Sequence, residues 1–189
     1  MSMLKAILVS LGLLLTALPG VAAPVPYALD LKASKVVFYY NLDGRQTRGA
    51  FPVLRAATMV DLQDVRRSSL DVTISTGRVQ AGDPMASLAL RGADLLATGQ
   101  HPTARFVSTR VAPHADGVRV TGELTLKGVT QSVTLDAVFQ RRADAPEDNS
   151  ELILQVTGEI SRSAFGVSGY PKLVADEIVL NFQVHLKRE

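Results

Sequence analysis

Residues 118–140 read VRVTGELTLKGVTQSVTLDAVFQ, and apolar and polar residues alternate on both sides of the central Lys127-Gly128. Alternation with a period of two is typical of a strand with one buried and one solvated face. A glycine-containing interruption between two such runs is typical of a hairpin turn. This stretch therefore predicts two antiparallel strands that share one apolar face.

The same alternation recurs along most of the chain and predicts an all-β protein. With the two halves of residues 118–140 we count eight strands separated by turns, and eight antiparallel strands favour closure into a barrel. The other predicted strands lie near residues 36–42, 48–61, 70–74, 103–111, 152–160 and 178–186.

Residues 83–99 do not alternate and predict a short helical segment near one end of the barrel. Asp83 is a good N-cap, Pro84 suits the first helical position, and Gly99 is a suitable stop. Gly92 costs about 1 kcal/mol relative to alanine inside a helix. We therefore expect this segment to kink or to split into two short turns.

The first residues predict a secretory signal peptide over 1–22 and a mature domain over 23–189. A short basic start that includes Lys5 precedes the apolar run AILVSLGLLLTALPGVAA, which ends in small residues. The apolar core is shorter than the roughly 20 residues that a spanning helix needs. We expect cleavage, release into the periplasm, and no integral membrane segment in the mature protein.

Composition argues against several classes of function. The 189 residues contain no cysteine and three histidines, and the net charge is +2. There can be no disulfide or thiol nucleophile, and the scattered basic pairs do not form a nucleic-acid footprint. His101, His114 and His185 lack metal-ligand spacing, and familiar nucleophile motifs are absent. We expect no metal, no cofactor and no enzymatic activity.

Periodicity does not decide whether the barrel is open or filled, because an eight-stranded barrel can do either. Gly122 and Gly158 fall on inward faces, where they either open a cavity or mark bulges. The alternative to a ligand-binding barrel is a filled one with a structural or stress-response interaction role. The outward pair Val37 and Tyr39 is compatible with a homodimer. A third and more distant hypothesis is an enzyme that acts on a lipid.

Five short motifs in a fixed order resemble one family. They are YALDLKASKVVFYY (27–40), RGAFPVL (48–54), LRGADLLATGQHPTARFVSTRV (90–111), GELTLKGVTQSVTL (122–135) and GEISRSAFGV (158–167). Together they resemble the YceI family of secreted, polyisoprenoid-binding, lipocalin-like proteins. Three positions depart from the family pattern: Ala164 replaces an acidic residue, and Leu95 and Leu96 replace two aromatic residues.

The resemblance implies a lipocalin-like barrel that holds a long isoprenoid chain, a quinone tail or a fatty chain. Arg162 and Tyr170 are candidates for a head-group contact, or Arg162 braces a loop against Asp94 or Asp176. The residues expected to form the ligand-binding wall are Phe38, Tyr40, Val72, Ile74, Phe106, Leu124, Leu126, Val133, Leu135, Leu154, Val156, Phe165, Leu180 and Phe182.

Overall fold

The structure is a computed structural model that describes residues 23–140, 146 and 148–189. The predicted signal peptide lies outside the described residues. Strands form most of the described chain, together with one α-helix, α1 (Pro84–Arg91), and 3-10 turns at Val65–Arg67 and Ser163–Phe165. The strands are β1 (Val25–Leu29), β2 (Lys35–Leu42), β3 (Arg45–Val60), β4 (Ser69–Ser75), β5 (Gln80–Ala81), β6 (Thr103–His114), β7 (Gly117–Leu126), β8 (Val129–Phe139), β9 (Glu151–Ser161) and β10 (Val174–Arg188).

The strands pair in one antiparallel sheet that closes on itself. The order runs β2-β3-β4-β6-β7-β8-β9-β10, and β10 then pairs with β2. β1 shares the place of β2 in the wall, and β5 is a two-residue strand beside β3. The wall therefore has eight strand positions, and the predicted eight-stranded barrel is confirmed.

The hairpin of residues 118–140 forms as its alternation predicts. Leu126 pairs with Val129, so Lys127 and Gly128 alone form the loop, with φ angles of 51° and 77°. Positive φ at both central residues is the two-residue turn whose twist matches the flanking strands, and glycine adopts it without strain. The turn fixes the register that places Val120, Leu126 and Val133 in the core.

The predicted helical segment is confirmed, and it ends earlier than Gly99. The Asp83 carboxylate accepts the backbone N–H groups of Met85 (2.8 Å) and Ala86 (2.9 Å), and α1 then runs only to Arg91. Gly92 caps it in an extended conformation, and turns carry the chain onward to Leu95 and Leu96, which are buried. Among the described residues, no helix is long and apolar enough to cross a membrane.

The first wall strand is interrupted, which the alternation did not predict. β1 pairs with the far ends of β3 and β10, whereas β2 pairs with the opposite halves of the same two strands. The five residues Asp30–Ser34 between them loop out of the wall. The outward pair on β2 is also less open than expected, because Val37 is only 8% exposed and so offers little surface to a second copy.

Candidate ligand-binding site

The barrel encloses a cavity of about 240 Å³ whose walls are hydrocarbon almost throughout. Its lining comes from the inward faces of strands all round the barrel. An apolar cavity of about 150 Å³ already stays dry and admits benzene. The lumen therefore has room for a larger apolar group, and the barrel is not filled.

The cavity has a closed end and an open end. At the closed end, Phe165 (1% exposed) belongs to the same buried cluster as Leu95 and Leu96. At the open end, Met59 and Phe139 line the cavity and are each 37% exposed. The cavity thus approaches solvent at one end of the barrel.

Most of the predicted wall residues line this cavity. Those that do so are Val72, Ile74, Phe106, Leu124, Leu126, Val133, Leu135, Leu154, Val156, Leu180 and Phe182. Their common feature is the inward position on a regularly alternating strand. The structure brings them together around one lumen, and whether they touch a ligand stays a prediction.

Phe38, Tyr40 and Phe165 lie outside the lining, toward the closed end. The Phe38 ring stacks on Phe51 with 4.8 Å between ring centroids, and it is Phe51 that faces the lumen. Burial, with a smaller contribution from Asp83, raises the pKa of the Tyr40 hydroxyl. These three aromatic residues close the base of the barrel.

Gly122 and Gly158 do not open the cavity, and this expectation is corrected. A Cβ on Gly122 would collide with the Phe106 ring and the Val107 carbonyl, and one on Gly158 would lie 2.6 Å from Cδ2 of Leu135. Neighbouring side chains already occupy the space that these glycines leave. The bulge alternative fits Gly122 better, since the β6 residue opposite it, Ser108, stands at a register shift.

Arg162 braces the loop that joins β9 to β10, and it does so through carbonyl groups instead of a carboxylate. Arg162 is 6% exposed, and its guanidinium donates to the carbonyls of Ala175 (3.0 Å), Val167 (2.6 Å), Gly169 (2.9 Å) and Val174 (2.8 Å). A buried cation needs such compensation. Its donors are therefore engaged within the protein and do not face the lumen.

Asp176, Asp94 and Tyr170, the polar residues expected near Arg162 or a ligand head group, make other contacts. Asp176 accepts from Ser161 Oγ (2.5 Å) and the Ser163 N–H (2.9 Å), and these bonds hold the pKa of its carboxyl below the usual range. Asp94 contributes its backbone carbonyl, which accepts the Gly169 N–H. Tyr170 is 48% exposed in the loop and does not line the cavity.

Sequence reasoning missed three hydroxyl-bearing residues in the otherwise apolar lining. Thr58, Ser68 and Ser69 line it where β3 passes into β4, and Thr58 Oγ1 is buried with no hydrogen-bond partner in the described part of the chain. The alternation of β3 could have identified Thr58, which stands two residues before the inward Val60. Ser68 follows a 3-10 turn, where no periodicity applies.

Ionisable groups are almost confined to the outside of the barrel. Among the described lining residues, Lys35 is the only one with an ionisable side chain. Asp71 and Asp136, whose pKa values are lowered mainly by hydrogen bonds from Arg105 and Arg119, form cross-strand pairs away from the lumen. Within residues 23–140, 146 and 148–189, no three histidine or acidic side chains are grouped to hold a metal ion.

Comparison with known proteins points to one family. The profile described as YceI-like domain matches residues 27–186. The UPF0312 protein ECA1782 of Pectobacterium atrosepticum is 30% identical over 170 residues, which cover 88% of each chain. The protein YceI of Escherichia coli is 32% identical over 119 residues, which cover 63% of this chain and 62% of that relative.

Solved structures show the same fold. Burkholderia cenocepacia BcnA superposes with a TM-score of 0.74 at 28% identity, covering 83% of this chain and 98% of that one. A polyisoprenoid binding domain from Saccharophagus degradans superposes with a TM-score of 0.62 at 15% identity, covering 87% and 99%. The second likeness concerns the fold alone.

Proposed function

Because the chain belongs to the YceI-like domain family, we propose that it binds a long isoprenoid or fatty chain in its barrel and carries it through the periplasm. The observation that supports this most directly is the apolar cavity of about 240 Å³ with an open end. The Saccharophagus relative is a polyisoprenoid binding domain, and we extend that class of ligand to this chain.

The physics of such a site is mostly the burial of hydrocarbon. Each enclosed methylene contributes about 0.8 kcal/mol before the costs of binding, and drug-sized ligands retain about 0.3 kcal/mol per atom after those costs. A polyprenyl or quinone tail therefore needs few polar contacts.

The chemistry of the lumen favours binding over catalysis. An enzyme places acids and bases with perturbed pKa values inside its pocket. Here the carboxyls with lowered pKa values, such as Asp61 and Asp176, lie outside the lining. A lumen of this composition is suited to holding an amphiphile without changing it.

Export is part of the same proposal. We propose that residues 1–22 are removed as a signal peptide and that the mature carrier begins at Ala23. The sequence has no cysteine for a lipid anchor, so the mature protein would be free in the periplasm. Intact-mass measurement of the exported protein tests this, and retention of residues 1–22 would contradict it.

A substitution that narrows the lumen tests the binding proposal. Ala137 lines the cavity from β8, whereas Ala112 on β6 does not line it. We expect Ala137→Phe to fold, because its ring enters open space, and to lose most binding of a prenyl-quinone probe and most co-purified lipid. Ala112→Phe is the matched control and should keep both. Equal binding by the two variants, or absence of lipid and probe binding in the parent, would refute the proposal.

A further inference from the structure

The barrel wall has a gap beside β3. β1 pairs with β3 at Val25–Val60, Pro26–Met59 and Tyr27–Thr58, and the next pair toward the closed end is Lys35 with Pro52. In the described chain, β3 residues 53–57 thus have no ladder partner on this side, although β4 pairs with their other edge. Five residues of strand correspond to about 16 Å of open edge.

The looped-out segment Asp30–Ser34 is held to β10 and not to β3. The His185 carbonyl accepts the Asp30 N–H (2.9 Å), and the His185 N–H donates to Ser34 Oγ (3.2 Å). The Asp30 carboxylate accepts the N–H groups of Lys32 and Ala33, both at 3.0 Å, which fixes the loop's own turn. We call the stretch of wall between this segment and β3 residues 53–57, where no β ladder is formed, the lateral window.

The cavity reaches the lateral window. Its lining includes Ser34 and Lys35 at the looped-out segment and Val53 and Ala56 on the facing stretch of β3. Lys35 is exposed to solvent as well, so this part of the wall borders both the lumen and the outside. The lumen thus reaches the inner side of the window, where the buried residues Ser34 and Val53 separate it from solvent.

The outer rim of the window combines apolar and basic side chains. Leu31 is 45% exposed, and Leu54, the extra residue of a bulge between the pairs Val53–Ile74 and Arg55–Thr73, is 36% exposed. A bulge turns its residue out of the regular strand. Lys32, Lys35 and Arg55 are exposed on the same rim.

The positive charge of the rim is not neutralised locally. No ion pair within 4 Å joins Lys32, Lys35 or Arg55 to an acid of the described chain. Asp71, which attracts Arg55 at longer range, is paired with Arg105 through a two-fold hydrogen bond (2.6 and 2.8 Å). Asp30 keeps its negative charge, because backbone N–H groups lower the pKa of its carboxyl, and this one acid stands against the three bases of the rim. The rim therefore stays positive.

We propose that the lateral window is the face with which this protein docks on an anionic lipid bilayer, so that a chain passes sideways between membrane and lumen. The passage rests on the proposed lipid-binding function, whereas the docking does not. Basic side chains near an anionic membrane surface and shallowly inserted apolar ones are the two elements of interfacial binding. The rim supplies both beside a stretch of wall that has no β ladder and that borders a hydrocarbon cavity.

Charge neutralisation tests the docking. The full mature chain is floated with phosphatidylcholine vesicles that contain or lack phosphatidylglycerol. Each basic residue near an anionic surface contributes about fivefold in affinity, so Lys32→Gln/Arg55→Gln should weaken binding to the anionic vesicles about 25-fold. The control Arg45→Gln/Lys172→Gln removes the same charge at the closed end and should bind as the parent does. Equal losses in both variants, or none in either, would overturn the proposal.

Site-specific labels test the orientation. Because the chain has no cysteine, a single introduced thiol can carry an environment-sensitive fluorophore. Leu54→Cys should shift to the blue on anionic vesicles, and Ser132→Cys, on β8 across the barrel, should not. A shift at Leu62→Cys, in the loop at the open end, without one at Leu54→Cys would overturn the proposal by placing the membrane at that end.

The failure of this proposal and that of the lipid-binding function are distinguishable. Equilibrium binding of the prenyl-quinone probe in solution should be unchanged in Lys32→Gln/Arg55→Gln, while transfer of the probe from anionic vesicles slows with the loss of docking. Docking without probe binding in the parent would refute the lipid-binding function and leave the docking face standing. If Lys32→Gln/Arg55→Gln binds the probe and takes it up from anionic vesicles as fast as the parent does, the lateral window is refuted as the route between membrane and lumen.

Discussion

At the scale of single residues, three glycines each lie beneath a bulky neighbour. The side chains of Phe38 and Phe106 occupy the space beside Gly49 and Gly122, and Leu135 does the same at Gly158. The alternation correctly placed Gly122 and Gly158 on inward faces. It could not show what covers them, because the covering side chain comes from another strand whose register is a property of the folded sheet.

The glycine contacts predict a graded loss of stability. Gly122→Ala should lower the free energy of unfolding by about 1 to 3 kcal/mol, because the new methyl group meets a backbone carbonyl as well as the Phe106 ring. Gly158→Ala should cost less, since its closest contact is the mobile end of Leu135 and the Thr134 carbonyl is 3.2 Å away. Denaturant titrations of both variants check this order. A larger loss of stability for Gly158→Ala than for Gly122→Ala would show that the strand backbone accommodates the new methyl group more easily than the neighbouring side chains do.

Arg162 shows a second limit of predicting the role of a single residue from the sequence. The sequence suggested two roles for Arg162, a loop brace or a contact with a ligand head group. In the structure its hydrogen bonds are those of a loop brace. Asp176, one of the two expected carboxylate partners, attracts Arg162 only at longer range, and backbone carbonyls accept the hydrogen bonds of the guanidinium instead. Such carbonyl partners leave no trace in the sequence. Four carbonyls from residues 167–175 converge on this one guanidinium.

The bracing role predicts that Arg162→Lys is not a conservative change. An ammonium has three donors at one point and cannot span carbonyls that the planar guanidinium reaches from separate nitrogens. We expect a loss of about 2 kcal/mol or more in stability, with prenyl-quinone affinity unchanged. Arg110→Lys on the exposed face of β6 is the control and should cost little. A loss of affinity without a loss of stability would restore the head-group role.

At the scale of elements, regular strands could be predicted and interrupted ones could not. β7, β8 and β9 lie where the alternation predicts them. β10 agrees from Ile178 onward, but it begins at Val174, and its register with β2 shifts between these two residues. Asp30 and Ser34 divide the first wall strand instead, because their side chains bind main-chain groups. In a period-two pattern, a polar residue that caps a local turn cannot be distinguished from an outward-facing residue of a strand.

The loop from β3 to β4 predicts a pH dependence of stability. Backbone N–H groups of Asp64 and Gln63, with Arg67 nearby, lower the pKa of the Asp61 carboxyl. A carboxyl whose pKa is lower in the folded than in the unfolded state stabilises the fold at pH values above its unfolded pKa of about 3.9. This stabilisation is lost as the pH falls through the lowered pKa of the folded state. We expect Asp61→Asn to melt earlier than the parent at pH 7, with the difference shrinking below about pH 4. Thermal melts across this range check it.

The control for this prediction is Asp116→Asn, in the exposed turn between β6 and β7. Its melting temperature should stay close to that of the parent throughout. A difference for Asp61→Asn that persists undiminished at pH 3 would show that the loop depends on the size or shape of the side chain and not on its charge.

At the scale of the whole molecule, the sequence predicts which face is buried but not how much space that face encloses. The volume of a barrel depends on strand tilt and stagger as well as on the side chains. Inward residues such as Leu154 and Phe182 could be assigned from alternation, while the difference between a filled core and an open lumen depends on how all the strands close together. Phe38 and Phe165 show this difference, because they fill the base of the barrel while inward residues nearer the open end line a cavity.

Removal of the ligand should lower the melting temperature of the whole domain. A ligand bound only by the folded state at 100 times its dissociation constant contributes about 2.7 kcal/mol, and about 1 kcal/mol shifts the melting of a domain of this size by roughly 2 to 4 °C. We therefore expect extraction of co-purified lipid to lower the melting temperature by about 5 to 10 °C and a prenyl-quinone to restore it, but not in Ala137→Phe. Reductant should have no effect, because the chain has no cysteine, and chelator none, because no described cluster suits a metal. A drop with chelator and none on lipid extraction would point to a metal-dependent protein in place of a lipid carrier.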